Sequence, residues 1–204
     1  MTLLVAATLV VLQAPAQGLD PRLQRLDSIS RPIVTALVDS ARAAALPTEP
    51  LVQRALEGAT KRATADRIIA AVRRLAVDLG HARDALGSTA SPTELTSAAA
   101  ALRAGAPPAT LTELRRIRRE SLTVPLAVLT DLVASGVPVD SAAAAVLSLA
   151  AKARDADLVE FRRAVERDIA LGAPPASATA AAAALAAAAV QVNAGARQQR
   201  PGRP

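Results

Sequence analysis

Apolar residues recur along this chain at spacings of three and four, the period of an α-helix with one buried face. Between Ile68 and Leu86, the residues Ile68, Ile69, Val72, Leu75, Ala76, Leu79 and Leu86 draw such a stripe, and Arg67, Arg73, Arg74, Asp78 and Arg83 lie largely off it. Thr64 stands where a cap belongs, and Gly87 where the helix should stop. Upstream, Ser30-Arg31-Pro32 offers a cap and an early-turn proline, after which Ile33, Leu37, Ser40, Ala41 and Ala44 share a face. The run Leu46-Pro47-Thr48-Glu49-Pro50 breaks the pattern, and a short helix from Leu51 to about Thr60 follows.

Ser91-Pro92-Thr93-Glu94 has the form of a capping box, in which the Ser hydroxyl and the Glu carboxylate each take an orphan amide. Thr110-Leu111-Thr112-Glu113 repeats it, and the two helices should end near Gly105 and Arg119. Pro125 opens a helix that stops at Gly136, Asp140 or Ser141 starts the next, and Asp155 starts one that stops at Gly172. A last helix, almost pure alanine, begins near Pro174 and fades near Gly195. The pattern predicts an all-α protein of eight or nine helices.

Three junctions resemble one another: Gly105-Ala106-Pro107-Pro108, Gly136-Val137-Pro138 and Gly172-Ala173-Pro174-Pro175. Glycine takes the left-handed position that ends a helix, and proline just beyond cannot prolong it. The junctions lie 31 and 36 residues apart, room for two helices and their turns. That period suits an α-solenoid-like array of helix pairs. An irregular bundle with similar punctuation fits equally well.

Composition supports the helical reading. About a quarter of the chain is alanine, Phe161 is the one aromatic residue, and cysteine is absent. Alanine loses no side-chain entropy in a helix, whereas strands favour the aromatic residues missing here. The lack of cysteine excludes disulfides, thiolate nucleophiles, cysteine zinc sites and a lipidated cysteine anchor. The net charge of +6 rests almost wholly on arginine, the lysines being Lys61 and Lys152, and it permits contact with an anionic surface.

The first residues read as an export signal. Leu3 to Leu12 is an apolar run without charge, and Ala14-Pro15-Ala16 offers a small-x-small cleavage pattern before Gln17. No Lys or Arg precedes the run, so a buried first helix is the competing reading. The expected organisation is therefore a signal peptide over 1–16, one helical domain over 17–196 and a disordered basic tail over 197–204, with the protein periplasmic or extracellular.

Candidate chemistry is sparse. His81 is the sole histidine, which excludes a His-pair metal site, and neither a Gly-x-Ser-x-Gly elbow nor a glycine-rich phosphate loop occurs. Carboxylates gather at Asp155, Asp157 and Glu160, and at Glu166 and Asp168, spacings that ordinary helix-surface pairing accounts for. A hydrolase using Asp155 and Asp157 would need a cleft. The strongest polar feature is Arg115-Arg116-Ile117-Arg118-Arg119. On a continuous helix, Arg115, Arg118 and Arg119 share a face that could grip an anionic partner. Nucleic acid is disfavoured because no aromatic residues stand ready to stack on bases. The Ala180 to Ala189 stretch is close to neutral for membrane insertion, so a spanning helix is not expected there.

With Leu46-Pro47-Thr48-Glu49-Pro50-Leu51, the following Arg54-Ala55-Leu56-Glu57-Gly58-Ala59 and the Gly-x-Pro turns, the chain resembles uncharacterised exported helical proteins of GC-rich bacteria across residues 45–176. The resemblance implies an exported all-helical protein and carries no activity. The expectation is a non-enzymatic scaffold or binding module of the bacterial envelope, without catalytic residues, metal or cofactor. Its partner would be a protein or an anionic envelope component, touched through Arg115, Arg118 and Arg119. A carboxylate hydrolase and an anion or nucleic-acid binder are the alternatives.

Overall fold

The computed structural model describes residues 20–198, with side chains through Val192. The apolar run Leu3–Leu12, the cleavage pattern before Gln17 and residues 199–204 of the expected tail lie outside the described residues. Among the described residues, a 3₁₀ turn, Pro21–Arg25, leads into nine α-helices: α1 Ser30–Ala43, α2 Glu49–Thr60, α3 Ala65–Leu86, α4 Pro92–Arg103, α5 Pro108–Ile117, α6 Thr123–Ala134, α7 Val139–Ala150, α8 Asp155–Ala170 and α9 Pro175–Gln198. No strand is present among the described residues.

The packing order separates the two architectures that the sequence leaves open. The odd helices stack in chain order, α1 on α3, α3 on α5, α5 on α7 and α7 on α9, while α4, α6 and α8 stack on one another beside them. Every substantial helix contact joins neighbours one or two places apart in the chain. This is a one-dimensional helix array, in which each element sees only its near neighbours.

The turns between helices explain the regularity. At residues 45–46, 62–63, 105–106, 136–137 and 172–173, two amides bond backwards in the pattern of a Schellman stop; at Gly136, for example, Val137 N–H donates to Leu132 C=O and Gly136 N–H to Val133 C=O. Three of these stops use glycine at positive φ, and two use Ala45 (φ 53°) and Arg62 (φ 54°), which hid them from a search for Gly-x-Pro. The residue after each stop, Leu46, Ala63, Ala106, Val137 or Ala173, packs onto the core. The helix boundary is thereby tied to a buried contact.

One continuous core runs along the array. Its bulk comes from leucines closed off from solvent, among them Leu51, Leu79, Leu95, Leu111, Leu114, Leu126, Leu129, Leu132 and Leu158. Truncating one of these to alanine should cost about 2–5 kcal/mol. Buried alanines such as Ala98, Ala99, Ala142 and Ala145 contribute little volume and instead let neighbouring helices approach closely.

Several local expectations change, the Ser30 cap among them: Ser30 lies inside α1, and Asp27 accepts from its N–H and from that of Ile29. The Thr110–Glu113 box does not form, because Pro107-Pro108 starts α5 three residues sooner and places both residues inside the helix. Helix α5 ends at Ile117, since Arg118 is extended (φ −129°, ψ 121°). On α1, Ser30, Val34, Val38 and Ala41 face the core, whereas Ile33, Ser40 and Ala44 from the predicted face point to solvent.

Candidate functional site

The arginine-rich segment is divided by the end of its helix. Because α5 stops at Ile117, Arg115, Arg118 and Arg119 do not share a helical face. Arg115 lies partly buried and donates to Glu94 on α4. Arg118 is only 7% exposed. Its guanidinium donates to the carbonyls of Ala150 (3.1 Å) and Ala153 (2.8 Å) and to Asp155 Oδ1 (2.6 Å), binding the start of the α5–α6 loop to the α7–α8 turn. Arg119 alone of the three stands exposed, and Arg116 is paired with Glu113 on the same helix. Two of the three residues expected to meet a partner thus serve the array itself.

Glu94 is the most constrained polar group. It caps α4 as the sequence predicts, accepting from Ser91 N–H at 2.9 Å while Ser91 Oγ accepts from Glu94 N–H. Its other oxygen accepts from Leu122 N–H at 2.9 Å, at the mouth of α6, and from Arg115. Burial alone would raise the carboxyl, but the amides of Leu122 and Ser91 and the Arg115 guanidinium outweigh it and hold Glu94 at about 2. One carboxylate joins α4, α5 and α6. The sequence shows the cap, but not the two long-range donors.

The candidate carboxylate pair is likewise engaged. Asp155 takes the Arg118 bond, and Asp157 accepts from the backbone and guanidinium of Arg154. Further along, Arg162 bridges Asp131 on α6 (2.8 Å) and Glu166 (3.4 Å), and Glu160 pairs with Arg163. Among the described residues, no group of three His, Asp or Glu side chains is arranged to hold a metal ion. His81 sits exposed beside a shallow hollow lined by Asp84, Pro108 and Thr112, between α3 and α5.

Helices α8 and α9 carry an apolar surface feature. A groove of about 300 Å³ runs between α8 and α9, floored by Phe161, Ala164, Ala186 and Val190 and edged by Asp157, Glu160 and Asp168. Helix α9 carries no charged residue between Pro175 and Ala196. Its segment Pro175–Val192 has a mean hydropathy of 1.4 and is 17% buried, so by length and composition it could cross a membrane. Alanine, which dominates it, is almost neutral for insertion. Leu185 (73% exposed) and Val192 (72%) project from this helix, and Leu171 from the turn before it.

Comparison with protein-family models, with curated proteins and with solved structures yields no significant match.

Proposed function

We propose that the protein is a non-enzymatic scaffold or binding module that works through the faces of a helix array, and that it is exported to the bacterial envelope. The observation that carries the first half is the allocation of side chains. The polar groups best placed for chemistry, Glu94, Arg115, Arg118 and Asp155, hold helices to one another, while large apolar residues are left in solvent on the outermost helices. Stacked helices of this kind offer extended surfaces to a partner. Export is supported by the Leu3–Leu12 run and the Ala14-Pro15-Ala16 pattern. Of the three arginines, Arg119 keeps a free approach for an anionic partner.

The test is affinity purification of the tagged chain from its own cells, separated into periplasm, membrane and cytoplasm and washed at low and high salt. A chain beginning at Gln17 in the envelope, carrying a stoichiometric partner, supports the proposal. A chain that keeps Met1, stays in the cytoplasm and carries nucleic acid overturns it.

A further inference from the structure

Stacked-helix proteins normally close each end with a helix whose outer face is polar. Here α2 and α8 do carry exposed charge, but the outermost odd helix at each end, α1 or α9, presents a line without any. Along α1 and its two cap residues, Ile29, Ile33, Ala36, Ser40 and Ala44 stand in solvent, with Ile29 65% and Ile33 38% exposed. Along α9, Ser177, Ala181, Ala184, Ala188 and Val192 stand in solvent, with Leu185 beside them. Both sets follow the same 4-3-4-4 spacing, so each draws one line down its helix. Neither line contains a charge. The charged residues of α1 lie elsewhere: Arg31 donates to Leu26 C=O, and Arg42 pairs with Asp39.

The two lines also complement each other in bulk. The first half of the α1 line is large and its second half small, whereas α9 is small first and carries Leu185 and Val192 later. In a stack of helix hairpins, alternate helices point the same way. A parallel α1 laid on α9 would therefore set Ile29 and Ile33 over Ser177, Ala181 and Ala184, and set Leu185 and Val192 over Ala36, Ser40 and Ala44. It would also continue the odd-on-odd stacking that already runs from α1 to α9.

We infer that the occupant of the α9 face is the α1 face of a second copy of this chain, so that molecules add head to tail. The interface is heterologous: each copy offers two different surfaces, and association does not end at a dimer unless a ring closes. The contact is small. A helix of 18 residues is about 27 Å long, and one such face falls short of the roughly 800 Å² per partner of a standard interface. Association is therefore weak and dependent on concentration. The inference rests on the array and not on export, so a cytoplasmic location would leave it standing.

The experiment is sedimentation velocity on the full chain from about 10 µM to about 1 mM, a range that brackets weak association, with Ile33→Glu and Leu185→Glu. Both positions are outside the core, and circular dichroism checks that the variants fold. The wild type should grow beyond a dimer as concentration rises, and each variant alone should remain monomeric. An equal mixture of the two should form a 1:1 dimer and nothing larger, because one intact α1 face meets one intact α9 face. Self-association by either variant alone would point to a like-with-like contact and overturn the inference. A wild type monomeric throughout would also overturn it, whether its own Leu3–Leu12 segment covers α1 or α9 instead floats with phosphatidylcholine vesicles.

Discussion

Replacing Glu94 with glutamine tests the polar joint at the centre of the array. The carboxyl sits at about 2 in the folded chain against an ordinary 4.5, and that gap is worth about 3 kcal/mol at about 1.4 kcal/mol per tenfold. Glutamine keeps the shape and one oxygen. It loses the charge that Arg115 answers, and it turns an amide donor toward Ser91 or Leu122, so the expected loss at pH 7 is about 2–3 kcal/mol. The pH dependence has a definite sign. A carboxyl lowered by folding stabilises fully above its unfolded value, and that stability drains as pH falls from about 4.5 toward 2. The gap between wild type and Glu94→Gln should therefore be widest at neutral pH, narrow below 4.5 and nearly close around pH 2. The lowered carboxylates Asp20, Asp27, Glu49, Glu57 and Glu113 are present in both proteins and cancel. Urea unfolding followed by far-ultraviolet circular dichroism at pH 7, 5, 4 and 3 gives the series. A gap under about 0.5 kcal/mol at pH 7, or one unchanged at pH 3, would be incompatible with this role for Glu94.

The other predictions concern local packing. Arg118→Ala should cost about 2–4 kcal/mol in urea unfolding, because it orphans Asp155 and two carbonyls; an unchanged midpoint would mean that the guanidinium is free for a ligand. Gly58→Ala and Gly80→Ala should differ in sign. A methyl group at Gly80 meets nothing within 4 Å and should gain up to about 1 kcal/mol of helix propensity, whereas at Gly58 it would lie 2.8 Å from Ile68 Cγ1 and the crowding should outweigh that gain. Thermal unfolding that ranks the two alike would contradict the close approach of α2 to α3. Arg62→Gly should stabilise by a few tenths to about 1 kcal/mol, by relieving a side chain held at φ 54°, and a drop in melting temperature would count against the Schellman reading of that turn.

The sequence and the structure agree most where chemistry is local. The α3 stripe from Ile68 to Leu86, the Ser91–Glu94 box and the three glycine stops depend on residues within a turn of one another, and all appear as expected. The disagreements arise where distant partners decide. Thr110–Glu113 has the spacing of a cap, but Pro107-Pro108 starts the helix first. Helix α1 carries two apolar faces, one through Val34 and Val38 and one through Ile33 and Ala36, and the arrival of α3, α2 and the 3₁₀ turn selects between them. Arg118 reads as one of five exposed basic or apolar residues in a row; its burial depends on the carbonyls of Ala150 and Ala153, more than 30 residues away. The array itself follows from the same limit, since similar turns serve a stack and a bundle until the order of helix contacts is known.

If the end faces of the array are where this protein meets others, the contacts should be visible in living cells. The decisive measurement is photo-cross-linking, with a photoreactive residue placed in turn at Ile33, Leu185 and the exposed Arg74. Ile33 and Leu185 should yield protein cross-links in the envelope fraction, and Arg74 none. Cross-links from Arg74 to nucleic acid, with both end faces silent, would contradict the end-face reading.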